Sequence, residues 1–210
     1  MVEYFIKGGP VMYPLLACSI LALTVVIERT IFWIMEDLHR NQNLVDDVLE
    51  LCRRGNWDSV RERVKGSKDY VIRILVNGVL HREYSMTKAM ESATGDEIKR
   101  MRRFLGVLDT MITIAPLLGI LGTVTGIITA FEHIQVTGME QPQEVSAGIA
   151  QALITTAAGL FIAIPSLILY NHFNTRVENA ALSIEKYTTS LEIVYEKLGQ
   201  STKGQEGARS

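Results

Sequence analysis

Cysteine is nearly missing from this 210-residue chain, which has only Cys18 and Cys52. One falls in an apolar run and the other in the polar stretch after it, at no ligand-like spacing, so neither a disulfide nor a zinc site is expected. The four histidines, His39, His81, His133 and His172, are equally scattered. A glycine-rich phosphate loop with its lysine is lacking, as is any nucleophile-and-base constellation. No enzyme activity, cofactor or metal is therefore expected. A net charge of −2 gives no reason to expect nucleic acid as a partner.

Charge is also absent from three long runs, residues 11–27, 111–131 and 145–170. With 48% apolar residues and a mean hydropathy of +0.17, runs near the roughly 20 residues that cross a hydrocarbon core read as three transmembrane helices. The first has only Lys7 ahead of it and Glu28-Arg29 behind it in place of a small-residue cleavage site, so it reads as a retained span rather than a signal peptide. Glu28 and Arg29 are expected to anchor it at the membrane boundary, with Phe32 and Trp33 as interfacial aromatics.

The remaining charge is distributed unevenly. Residues 36–103 hold 14 Lys and Arg, ending in the cluster KRMRR at 99–103, whereas residues 132–146 hold none. The positive-inside rule then places the long loop and the C-terminal tail in the cytoplasm and the N-terminus and short loop outside. The expected organisation is a periplasmic N-terminal segment with the first span over 1–35, a cytoplasmic helical loop over 36–103, the second span over 104–131 and a periplasmic loop over 132–146. The third span follows over 147–170, then a cytoplasmic helix over 171–198 and a disordered tail over 199–210. The fold class is an all-α membrane protein whose second and third spans extend into a helical cytoplasmic domain.

Periodicity supports that domain. Apolar positions at Leu44, Val45, Val48, Leu49 and Cys52 mark one helix, Trp57, Val60 and Val64 a second, and Val71, Ile72, Leu75, Val79 and Leu80 a third. Ser85 can cap a fourth that runs unbroken into the second span. From Val177, positions Ala180, Ile184, Tyr187, Leu191, Val194 and Leu198 follow steps of three and four, a heptad seam that fits either the chain's own loop helices or a neighbouring subunit.

Within the spans, Ala115, Gly119, Gly122, Gly126 and Ala130 on the second and Gly148, Ala152, Gly159 and Ala163 on the third form two stripes of small residues, which let helix backbones approach closely, within one chain or between chains. Pro116 and Pro165 sit on the same two helices and count with this packing group. Against this apolar background stand Thr113, Thr123, Gln151, Thr155 and Thr156. A threonine hydroxyl can bond back to its own helix, so each has a purely structural reading beside a functional one. Gln151 lies about one turn from the outer end, within reach of water. Asp109 is an acid inside the predicted boundary of the second span, where ionisable groups are functional candidates, though near the cytoplasmic surface.

The motifs IAPLLGILGTVTGIITAF and GIAQALITTAAGLFIAIPSLILYN, with PLLACSILALTVVIERT in the first span, closely resemble the MotA/TolQ/ExbB proton-channel family, in its three-span ExbB and TolQ branch. The likeness covers roughly residues 10–175. It implies a bacterial inner-membrane motor subunit that forms a homopentamer in the lipid bilayer around an ExbD- or TolR-like single-span partner with a membrane aspartate. It further implies that proton flow does work on a TonB- or TolA-like protein, for outer-membrane transport or envelope maintenance. Thr123 and Thr156 fall on the family's pore-facing threonines, Thr155 is their neighbour, and Gln151 stands where relatives carry glutamate. An amide cannot relay a proton by changing charge, so sodium as the driving ion stays open. A non-conducting scaffold that only organises a membrane complex is the alternative reading, and a stand-alone channel a third.

Overall fold

The computed structural model describes residues 2–137 and 142–207. Among these, every regular element is a helix: α1 (Val2–Lys7), α2 (Met12–His39), α3 (Gln42–Arg53), α4 (Trp57–Arg63), α5 (Tyr70–Leu80), α6 (Arg82–Met101), α7 (Leu105–Thr137) and α8 (Pro142–Gly207). Three helical stretches, in the regions of α2, α7 and α8, are long and apolar enough to cross a membrane. The chain divides into two compact units, Met1–Thr30 with Phe104–Asn174, and Ile31–Arg103 with Thr175–Ser210.

In the first unit, Val11 just ahead of α2 and Leu15, Cys18, Ala22 and Val25 on it are buried, again at steps of three and four. Val11 and Leu15 close on Ala115, with Leu118, Ala158 and Ile162 around them. The opposite faces leave Ile20, Leu23, Leu117, Leu121, Phe161 and Ile168 exposed on the single chain. Such outward apolar surface suits lipid or neighbouring helices rather than water. Both α7 and α8 pass through their prolines, Pro116 and Pro165, without ending.

The second unit is built around α5, whose Val71, Ile72, Ile74, Leu75 and Val79 are all buried. Helices α3 and α4 both stop at glycines with positive φ, Gly55 (70°) and Gly66 (85°), the left-handed geometry that glycine adopts at least cost. The heptad seam of α8 is buried at Val177, Ala180, Ile184, Tyr187, Leu191 and Val194 within the chain's own fold. Tyr187 takes a hydrogen bond from Gln42 Nε2 at 3.1 Å, and the Tyr195 hydroxyl donates to the Arg82 carbonyl at 2.9 Å. The loop helices are therefore the seam's partner here. Cys52 is fully buried, and burial pushes its thiol up to about 11, which leaves it unreactive.

One polar clamp organises this unit. Asp69 is 1% exposed, yet its carboxylate accepts from Arg40 Nη1 at 2.9 and 3.1 Å, from Asn41 N at 2.8 Å and from Val71 N at 2.8 Å. Arg40 also donates to Ser183 Oγ at 3.0 Å and lies over the rings of Tyr70 and Tyr187. One carboxylate thus joins the end of α2, the start of α5 and the flank of α8.

Three expectations are corrected. The second span is not continuous with α6: residues 102–104 form a turn, with Phe104 at φ 64°, before α7 begins at Leu105. No proline or glycine stands at 102–104 to announce that break. Ser85 does leave helical geometry (φ −165°, ψ 88°), as a residue at a helix start must. The helices also reach beyond their expected ends: α7 runs to Thr137 and α8 starts at Pro142, so every described residue of the expected loop 132–146 is helical, and 138–141 lie outside the described residues. Likewise α8 continues to Gly207, so the segment expected to be a disordered tail is helical up to there, while 208–210 lie outside the described residues. Lys, Gln and Glu in that stretch have good helix propensity, and no proline interrupts them.

Breaking the buried clamp by Asp69→Ala is expected to cost roughly 3 kcal/mol, because Arg40 and two backbone N–H groups lose their partner. Asp47→Ala, whose partner Arg63 is exposed, should change stability by less than about 1 kcal/mol. Thermal unfolding of the detergent-solubilised protein distinguishes the two. Glu36, just past the first apolar run, is 8% exposed between Arg100 (2.8 Å) and Arg73 (3.8 Å). Burial raises its carboxyl above the usual range, outweighing the pull of Arg100 and Arg73. Because the folded state holds this proton more tightly than the unfolded state, Glu36's contribution to stability is complete below the ordinary glutamate pKa. It falls as pH rises through the raised value. Glu36→Gln should flatten that part of the stability–pH curve.

Candidate functional site

The site grows out of the contact between α7 and α8. The small-residue stripes meet in antiparallel register, Ala115 against Gly159, Gly119 against Thr156, Gly122 against Thr155, and Gly126 against Gly148 and Ala152. A methyl group added at Gly126 would sit 2.7 Å from the Gly148 carbonyl, and one at Gly159 would sit 2.5 Å from the Ala115 carbonyl. At Gly122 it would collide with the Thr155 side chain. Backbone therefore lies on backbone along about four turns, the approach that only small side chains permit.

That approach brings two hydroxyls together. Thr123 Oγ1 lies 2.8 Å from Thr156 Oγ1, and both lie near one acceptor, the Gly119 carbonyl, at 3.0 and 3.1 Å. Thr110, Thr113 and Thr129 bond back to their own helix at the fourth preceding carbonyl. Thr156 instead reaches across to α7. Two hydroxyl hydrogens serve three short contacts, so one contact always lacks a hydrogen, and either hydroxyl can turn toward an arriving acceptor. Each oxygen also keeps lone-pair capacity for an arriving donor.

The other candidates separate. Thr155 is fully buried, and its hydroxyl meets the carbonyls of Gln151 (3.1 Å) and Ala152 (3.0 Å) on its own helix, a packing group against Gly122. Gln151 does not join the hydroxyl pair: its carboxamide lies against Gly9, where an added methyl would come within 2.5 Å of Nε2. Asp109 is exposed near the start of α7, with its backbone carbonyl accepting from Thr113 at 3.2 Å. Arg29, expected as an exposed boundary anchor, is buried at 2% exposure. Its guanidinium pairs with Glu28 at 2.6 Å and faces the Phe104 ring at 5.9 Å. The left-handed turn at Phe104 places that ring there, and no sequence signal marked it.

Beside Thr123, an apolar cavity of about 370 Å³ opens between α7 and α8, lined by Ile127, Phe131, Ile149 and Leu153 among others. A group of different character lies at the end of the two helices where α7 finishes and α8 begins. There His133 and Glu144 pair across the helices at 2.9 Å. Sequence reasoning set His133 aside with the other scattered histidines and did not single out Glu144, because the two lie eleven residues apart with no motif between them.

Replacing Gly122 by Leu should destabilise the fold by roughly 1–3 kcal/mol, the usual cost of overpacking. Gly106→Leu, where an added methyl meets nothing within 4 Å, serves as the control. A lowered melting temperature of the first variant alone confirms the backbone contact.

Residues 67–186 match the family described as the MotA/TolQ/ExbB proton channel family. A Synechocystis sp. protein named biopolymer transport protein ExbB-like 3 is 33% identical over 97% of this chain and 99% of its own length. A second from the same organism, ExbB-like 1, is 39% identical over 81% of this chain and 69% of its own. The Tol-Pal system protein TolQ of Haemophilus influenzae is 37% identical over 50% of this chain and 47% of its own. With the family match over more than half of its length and a full-length relative of this kind, the chain belongs to the MotA/TolQ/ExbB proton channel family, in its ExbB/TolQ branch.

Proposed function

We propose that this chain is the channel-forming subunit of an ion-driven motor in a bacterial inner membrane, working in biopolymer transport or envelope maintenance. The observation that carries the reading is the Thr123–Thr156 hydroxyl pair over the Gly119 carbonyl, a polar step inside an otherwise apolar helix contact. A carboxylic acid passing it could donate to one hydroxyl oxygen when protonated and accept from the other when ionised. The pair could thus guide a proton carrier without holding a charge of its own. Five copies form a ring around an ExbD- or TolR-like single-span protein whose membrane aspartate is that acid, and the ring delivers work to a TonB- or TolA-like protein. Each charge crossing 100 mV releases about 2.3 kcal/mol, enough to bias a conformational step.

The basic 36–103 segment and the C-terminal helix lie in the cytoplasm, and the N-terminus and the α7–α8 connection lie in the periplasm. Thr155 and Gln151 belong to the wall of the path, and Glu28, Arg29 and Asp109 to its cytoplasmic margin. With an amide at 151, charge transfer rests on groups other than that side chain. A sodium-driven member of the same family is the variant of this reading, since hydroxyl and amide oxygens can ligate sodium as well as guide protons.

The close packing of the glycine stripes is itself what a non-conducting scaffold would need, which makes a scaffold the second reading. Thr156→Val keeps the side-chain shape and removes the hydroxyl. The expected outcome is loss of energised work with the complex still assembled, read as uncoupler-sensitive transport alongside crosslinking of the ring. Full activity in the variant rejects the pore role, and wild-type work that ignores an uncoupler supports the scaffold.

A further inference from the structure

At the end of the helix pair where α7 finishes and α8 begins, an open cavity of about 560 Å³ is lined by Lys7, Thr129, His133, Glu144, Gly148 and Gln151, among others. It has room for several waters at about 30 Å³ each. His133 sits in the last turns of α7 and Glu144 in the first turn of α8, with Nδ1 2.9 Å from Oε2. The negative end of the α7 dipole favours a cationic imidazole, and the positive end of the α8 dipole favours an anionic carboxylate. Both helix ends therefore support the charged pair. Among the described residues, the charged groups around the imidazole include Lys7 from α1, Glu132 beside it on α7 and Glu144 from α8. Glu144 and Gln151 are seven residues apart and so share one face of α8.

We propose that this vestibule is the site where the driving proton is loaded, with His133 and Glu144 as its carriers. This rests on the ion-driven reading above. An imidazole changes charge between about pH 5 and 8, the range that external water spans. The neutral ring donates from Nδ1 to the Glu144 carboxylate and takes a proton from water at Nε2, becoming imidazolium. It then gives the Nδ1 proton to Oε2, leaving a neutral ring and a glutamic acid. The acid releases that proton to cavity water on the Gln151 side, and the ring recovers its Nδ1–H tautomer by giving its Nε2 proton to water and taking one back at Nδ1, so one proton enters, one leaves and both groups return to their starting state. Gln151 orients water there by donating and accepting hydrogen bonds, with no change of charge.

The test uses the full chain co-expressed with its membrane partner, measuring uncoupler-sensitive work across external pH 5 to 8. Wild type should show a titration step in that range. His133→Gln should lose the step while the complex assembles normally, and Glu144→Gln, which can no longer accept the Nδ1 proton, should lose most of the work across the whole range. A wild-type pH profile in His133→Gln, with uncoupler still stopping work, overturns the loading site and leaves the motor standing. Wild-type work insensitive to uncoupler overturns the motor and the loading site with it. As a check independent of transport, the chain alone in lipid nanodiscs is titrated by NMR with labelled histidine, His133→Gln assigning the signal. The His133 Nδ1 chemical shift should change in Glu144→Gln, and identical shifts overturn the pairing.

Discussion

Everything in the membrane unit depends on α7 and α8 touching through their backbones. The Gly119 carbonyl is reachable by Thr156 only because neither Gly119 nor Gly122 carries a side chain to hold α8 away. Lipid supplies no hydrophobic drive for that contact, so dispersion between closely packed atoms must hold it, and small residues maximise such contacts. The same approach satisfies the polar groups, which in hydrocarbon would otherwise cost several kcal/mol each. Packing and polarity are one design: the stripe that lets the helices meet also gives the hydroxyls their partners.

The unit formed by 31–103 and 175–210 follows a different rule. Its order comes from buried charge with full hydrogen bonding, as at Asp69, and from arginines stacked on rings, as with Arg176 over Trp33 and Arg100 over Phe32. The Arg73–Glu97–Arg100 group continues this pattern around Glu36. Among the described residues Glu36 Oε1 accepts no hydrogen bond. A buried acid with one unsatisfied oxygen keeps its proton more readily than an exposed one.

Much of this was legible because it repeats. Three charge-free runs, the seam at steps of three and four in α8, and the paired glycine stripes each restate one instruction over many residues, and the helices follow them. What was illegible is singular. Phe104 adopts a left-handed conformation that its residue type disfavours, so local propensity gave no warning of the break before α7. Arg29 reads as a boundary charge, yet it is buried, with the Phe104 ring among the groups that face it. The resemblance named Thr123 and Thr156 singly, and their pairing over the Gly119 carbonyl required coordinates, because each threonine alone could have bonded within its own helix. Gln151 read as a puzzle about a missing acid, whereas its nearest constraint is steric, a backbone pressed against its amide.

That constraint at Gly9 reaches past the single residue. The Gly9 N–H is already given to the Ile6 carbonyl, and its own carbonyl accepts from Met12 N. The side chain at 151 thus rests on a stretch of chain whose hydrogen-bonding capacity is partly committed, and no side chain at 9 could share the space. Positions 9 and 151 are therefore entrenched together. A bulkier side chain at 151 requires the turn ahead of α2 to move, whereas a glutamate, nearly equal in size to the amide, meets the same glycine, so size is the property that these two positions fix for each other.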